Sequence, residues 1–218
     1  MFKTINGFKM RVMVKGQGPI IVMIHGNGED QSIFKELKQS LTDSYQIYTY
    51  DARNHGESEK GLPMSYEIMS DDLNAFLKEY DLKDVCILGF SDGGIVTLHS
   101  TINQNPRITK QILLGTNLTL DALNPKELAF MRESYEESKD VFTKLMLDQT
   151  PISLEQCASI KIPTAIFYGE DEPFTKKSID DIHKAIKKSK LYIVKGHNHG
   201  SYINRSNYLE DFIRGFVK

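Results

Sequence analysis

Tryptophan is absent from the 218 residues, and cysteine occurs only twice. Cys86 and Cys157 lie far apart, neither in a CxxC pair nor beside a histidine cluster, which excludes a disulfide framework and a zinc ribbon. An excess of one charge is also missing. Lys and Arg number 27 against 29 Asp and Glu, a formal net charge of −2, so no basic field exists to hold a phosphate backbone and no nucleic-acid partner is expected. No uncharged run approaches the roughly 18 residues of a membrane span, and the first residues carry no apolar leader core. No membrane partner is expected, and a cytoplasmic address follows by default. Repeats and low-complexity tracts are absent too, so the chain 1–218 reads as a single domain.

What the chain does have is alternation. Asn6-Gly7 suits a hairpin turn, because both residues accept positive φ, and Met10, Val12 and Val14 alternate with polar neighbours after it. Short apolar runs follow at Ile20–Ile24, Gln46–Tyr50, Val85–Phe90, Ile112–Leu114, Thr164–Tyr168 and Leu191–Val194. Between them helical spacing predicts helices at Ser32–Leu41, Ser65–Tyr80, Ile95–Ile102 and Ser178–Ile186, with a last one at Tyr208–Val217. The pattern predicts an α/β fold: a mainly parallel twisted sheet with helices on both faces and an antiparallel N-terminal hairpin. Residues 120–150 break the rhythm with a charged helical stretch, read as a small lid inserted between two strands.

Ligands of open parallel sheets bind beyond the carboxyl ends of the strands, so the residues just after each apolar run carry the chemistry. After Val85–Phe90 comes Gly89-Phe90-Ser91-Asp92-Gly93. A serine at a sharp strand-to-helix turn needs neighbours without a Cβ two positions away on each side, and it presents its hydroxyl beside the helix N-terminus. After Ile20–Ile24 comes His25-Gly26-Asn27-Gly28, whose glycines allow a close backbone approach. The N–H groups of Asn27 and Asp92 are then a candidate oxyanion hole. His25 is read as fixing its loop by hydrogen bonds, with His25 and Gly26 at the wall of the substrate site. After Gln46–Tyr50, the run Asp51 to Ser58 (DARNHGES) reads as a compact turn that His55 satisfies.

The strings HGNG, DARNHGES and GFSDGG, in this order and between these strands, resemble the α/β-hydrolase superfamily, in particular its small bacterial single-domain members. The likeness runs from the opening hairpin to the last helix. It implies a serine nucleophile at Ser91, a histidine base after the last strand and a carboxylate after the strand before it.

Counting about five positions past Val194, as the family does, reaches His199. His197, preceded by Gly196, competes for the role and is otherwise expected to line the site or meet solvent. The family's Gly-x-x-Asp register puts the acid at Glu172, one methylene longer than the usual aspartate, while Asp171 has the usual side chain one position early. Both stay open.

An apolar pocket is available from Phe90, Met131 and Tyr135, with Phe34, Phe130, Phe174 and Tyr202 as further candidates. The resemblance implies a carboxylesterase-like serine hydrolase acting on a small ester-like molecule, with no cofactor and no metal, as a monomer or homodimer. Its alternatives are another bond cleaved by the same triad, as in a carbon–carbon hydrolase or an acyltransferase, or a ligand-binding member without turnover. Haloalkane and epoxide chemistry is disfavoured, because those relatives carry Asp where this chain has Ser91.

Overall fold

A computed structural model describes all 218 residues. Asn6 and Gly7 both adopt positive φ, and they fold β1 (Phe2–Ile5) back on β2 (Phe8–Lys15). There follow β3 (Ile20–Ile24), α1 (Lys35–Leu41), β4 (Gln46–Tyr50), α2 (Tyr66–Glu79), β5 (Val85–Phe90), α3 (Asp92–Ile102) and β6 (Ile108–Leu114). The chain continues through α4 (Pro125–Ser138), α5 (Val141–Leu147), α6 (Leu154–Ala158), β7 (Thr164–Asp171), α7 (Lys176–Ala185), β8 (Ser189–Asn198) and α8 (Glu210–Phe216). The eight strands form one sheet in the order β1-β2-β4-β3-β5-β6-β7-β8. Only the β1–β2 and β2–β4 pairings are antiparallel.

The period-2 geometry of a strand splits each apolar run between two cores. In β5, Val85 and Ile87 join the cluster on one face, and Cys86, Leu88 and Phe90 the cluster on the other. In β3, Val22 and Ile24 face one way and Ile21 and Met23 the other. A strand covered on both sides reads as an unbroken apolar run, which is why these two stand out in the sequence. Each such side chain contributes about 1.5–3 kcal/mol by leaving water.

Four of the differences from expectation have a local reason. The segment before α1 winds as a tighter turn over Gln31–Phe34, capped by Asp30, whose carboxylate accepts the Ser32 N–H. Strand β6 begins at Ile108, because Val85 and Cys86 already pair with Ile108 and Lys110, whose polar neighbours hide the pattern. Strand β8 extends to Asn198 because the ladder with β7 continues past Val194, pairing Asp171 with Asn198 across an irregularity. Within 120–150 the chain forms two helices, broken at Lys139, which takes a left-handed conformation, and restarted by Asp140, whose carboxylate accepts the Thr143 N–H. No helix is long and apolar enough to cross a membrane.

The DARNHGES turn is held from within. The Asp51 carboxylate accepts the N–H groups of Gln31 (3.0 Å) and Glu57 (2.8 Å), while the Ser58 hydroxyl donates to the Asp51 carbonyl at 2.7 Å. Arg53 makes a two-pronged pair with Asp72 of α2 at 2.6 Å, donates to the Pro63 carbonyl at 2.7 Å and lies over the Phe8 ring. Both partners are buried, so removing one strands the other's charge. Arg53→Met is expected to lower the unfolding free energy by about 3–5 kcal/mol in urea titrations.

Candidate active site

Ser91 stands between β5 and α3 with φ 51° and ψ −115°, a region that a side-chain-bearing residue reaches only at a cost of about 1–3 kcal/mol. The glycines around it show why this turn fits only one sequence pattern. A Cβ on Gly89 would stand 2.4 Å from the Gly93 carbonyl oxygen, one on Gly93 2.2 Å from that of Ile24, and one on Gly94 1.9 Å from Thr116 Oγ1. Gly26 brings the β3 loop against the same turn, its Cβ position only 3.2 Å from Ser91 Cβ.

His199 approaches from the loop after β8. Its Nε2 lies 3.2 Å from Ser91 Oγ and its Nδ1 2.5 Å from Glu172 Oε2. A carboxylate only accepts, so the imidazole proton sits on Nδ1, and the Nε2 lone pair faces the serine hydroxyl, which donates to it. Glu172 is held in turn by the Gly169 N–H, which donates to Oε1 at 2.8 Å, and its side chain is buried. The Phe90 and Phe174 rings flank the imidazole, with centroids 5.1 and 5.5 Å away.

The N–H groups of Asn27 and Asp92, beside Ser91, take no hydrogen-bond acceptor within the protein. The Asp92 side chain turns inward, where its carboxylate accepts the Asn27 amide at 2.8 Å. Burial raises this carboxyl to about 6, with the Asn27 amide and Tyr66 hydroxyl opposing the rise. A folded-state value above the unfolded one means that stability falls as pH rises from about 4 to 6 and stays lower above. Asp92→Asn is thus expected to be more stable than the native protein at pH 8, by on the order of 3 kcal/mol, and no more stable at pH 4. Chemical denaturation at the two pH values checks this.

Several expected residues lie elsewhere. Asp171 is exposed on β7, paired in the ladder with Asn198, and meets no histidine. Strand β7 ends at Asp171, and Glu172 is the first residue past the ladder, from where its carboxylate reaches the Gly169 N–H and His199. His197 sits in β8 with Nδ1 3.1 Å from Ser201 Oγ and its ring beside Tyr208, not at Ser91. His25 is buried, its Nε2 accepting the Ala52 N–H at 3.0 Å and its Nδ1 2.8 Å from the Gly26 carbonyl, so it fixes the loop and touches no substrate space. Burial lowers its pKa. His55 is likewise internal, pushed to about 4 by burial and by His25. Phe90 belongs to the core, and Tyr135 lies outside the cavity wall, packed under the Lys139 ammonium.

A cavity of about 320 Å³ opens at Ser91 and His199, walled by Leu123, Met131, Met146 and Phe174 among others. Three residues that the sequence reading missed matter here. Gly115, just after β6, has φ +57°, and a Cβ on it would stand 2.6 Å from His199 Cε1 and 2.8 Å from Nδ1. Asking what stands after each apolar run, applied to Leu114, would have found it. Tyr66 and Gln149 also line the cavity, but nothing in their sequence surroundings marks them. Gly115→Ala is expected to displace the imidazole and lower kcat about a hundredfold, with little change in KM, in steady-state ester assays.

A family model for the alpha/beta hydrolase fold matches residues 19–151, and the chain belongs to that family. Proline iminopeptidase PfmaB of Pestalotiopsis fici is 33% identical over 122 residues, covering 53% of this chain and 43% of that protein. The uncharacterized hydrolase YraK of Bacillus subtilis is 28% identical over 149 residues, covering 65% of this chain and 55% of that one. The matched stretch thus spans about half the length of these curated relatives. Among solved structures, the esterase EaEST from Exiguobacterium antarcticum superposes with a TM-score of 0.83 at 20% identity, over 100% of this chain and 98% of that one. The enol-lactonase from Burkholderia xenovorans LB400 does so with a TM-score of 0.81 at 17% identity, over 100% and 99%. These likenesses show the fold.

Proposed function

We propose that the protein is a serine hydrolase that cleaves a small carboxylic ester, or a related acyl compound, through an acyl-enzyme on Ser91. The observation that carries this reading is the series Ser91 Oγ, His199 Nε2 at 3.2 Å, and His199 Nδ1 to Glu172 Oε2 at 2.5 Å. In this reading Ser91 Oγ attacks the substrate carbonyl as His199 Nε2 takes its proton. The Asn27 and Asp92 N–H groups hold the oxyanion, each such donor contributing about 3–4 kcal/mol in the transition state. Collapse expels the alcohol, which takes the proton from the imidazolium, and a water activated by His199 then releases the acid.

Glu172 fixes the Nδ1–H tautomer and stabilises the imidazolium. Helices α4 and α5 act as the lid over the substrate, with Met131 and Met146 on its inner side. A binding role without turnover would leave the strained backbone of Ser91 without a purpose. A cavity of about 320 Å³ favours short acyl groups. Nitrophenyl esters from acetate to decanoate provide the test: turnover greatest at the short end supports the reading, and no release above background from any of them refutes it.

A further inference from the structure

The side chain of Asn27, on the loop after β3, makes two hydrogen bonds that leave the loop. Its Nδ2 donates to Asp92 Oδ2 at 2.8 Å and to the Phe142 carbonyl at 3.0 Å, which uses both of its hydrogens. A carbonyl oxygen only accepts, so the amide cannot be turned round. Asp92 opens α3, and Phe142 lies in the first turn of the lid helix α5, 115 positions from Asn27. In the serine-hydrolase reading the backbone N–H groups of Asn27 and Asp92 receive the oxyanion. The side chains of those same two residues are thus joined to each other and, through Nδ2, to the lid.

Phe142 holds this loop a second time. Its ring lies 4.4 Å from that of His55, centroid to centroid, and the His55 ring lies 5.0 Å from that of His25. His25 accepts the Ala52 N–H on Nε2, so its proton sits on Nδ1, which donates to the Gly26 carbonyl at 2.8 Å, one residue before Asn27. The Phe142 ring therefore rests on the histidine pair that pins the loop, while its carbonyl takes the side chain of the next loop residue. The first turn of α5 is itself fixed, because Asp140 Oδ2 accepts the Thr143 N–H at 2.7 Å and the Thr143 hydroxyl at 2.9 Å. By contrast, the ion pairs of the lid, Lys139 with Glu136 and Lys144 with Asp148, stay within it.

We propose that Phe142 is a positioning residue for the oxyanion hole, whose carbonyl and ring fix the Asn27 loop so that the Asn27 N–H is correctly placed only while α5 is seated on the core. This rests on the serine-hydrolase reading and gives the lid a part in the chemical step beyond walling the cavity. A donor aimed at a developing oxyanion acts in the transition state and not on the bound ester, so its misplacement lowers kcat and leaves KM almost unchanged.

The test is a cycle of Phe142→Ala, Asn27→Ala and the double variant, assayed with nitrophenyl acetate and nitrophenyl octanoate. Asn27→Ala keeps the backbone N–H and removes only the side-chain tie. Each single change is expected to lower kcat about ten- to a hundredfold with KM within about threefold, and by the same factor for both esters. A wall role for α5 would instead raise KM, and chiefly for the octanoate. The double variant is expected to lose no more than the worse single one, since both changes break one connection. Phe142→Leu, which keeps an apolar side chain against His55, is expected to recover most of kcat. Native kcat in Asn27→Ala overturns the proposal whether or not Phe142→Ala folds, and so do losses that multiply in the double variant or that fall on KM alone. If the native protein turns over neither ester and a fluorophosphonate leaves Ser91 unlabelled, the serine-hydrolase reading fails and this inference with it, whereas native turnover untouched by either change refutes this inference alone.

Discussion

Replacing Ser91 with alanine is expected to lower kcat/KM for short acyl esters by about 10⁴- to 10⁶-fold while leaving the thermal transition in place or raising it. The rate loss follows because alanine offers no nucleophile, and His199 Nε2 then faces a methyl group across the gap that the hydroxyl now bridges at 3.2 Å. What survives is the contribution of binding and of the Asn27 and Asp92 N–H groups. The stability expectation has a separate cause. The fold holds residue 91 at φ 51° for the sake of its hydroxyl, through packing that alanine preserves. His199→Ala is expected to cost about as much as Ser91→Ala, and the double variant little more, because residues that act as one unit are not additive.

The second large effect separates two adjacent carboxylates. Glu172→Gln is expected to lower kcat by about 10⁴-fold. An amide can donate to Nδ1 as well as accept from it, so the imidazole is no longer locked with its proton there, and the imidazolium loses its counter-charge. Asp171→Asn is expected to change kcat by less than about twofold, since exposed surface carboxylates contribute little. Glu172→Asp, which shortens the reach by one methylene, is expected to fall between the two. Steady-state kinetics on the three proteins, with the Gly169 N–H contact monitored by amide exchange, separates a charge effect from a loop that has come loose.

The fold was legible because its parallel strands are covered on both faces. Ile20–Ile24 and Val85–Phe90 read as strands without any tertiary information, and the elbow glycines sit where steric arithmetic requires them. Strand ends were harder to place. The last residues of β8, Lys195 to Asn198, carry no apolar side chain, and of them only Asn198 pairs with β7, so periodicity says nothing about them. The serine was legible from local spacing, because its constraint is local. The acid was not, since choosing between Asp171 and Glu172 depends on how β7 continues and therefore on which residue first turns out of the ladder. His199 could be favoured over His197 by counting, yet only the strand's path shows the latter turned toward Ser201 and Tyr208. Gly115 follows an apolar run and was open to the same question as Ser91, whereas Tyr66 and Gln149 reach the cavity wall from segments whose own neighbourhood carries no pattern that marks them.

Labelling with a fluorophosphonate, followed by peptide mapping, addresses the central claim most directly, because that reagent bonds only to a nucleophile that an adjacent base has activated. One equivalent of adduct is expected on Ser91, at a rate that drops steeply in His199→Ala and Glu172→Gln and is untouched in Asp171→Asn. Adduct on some other residue, or full-speed labelling of Ser91 after His199 has been removed, would contradict it.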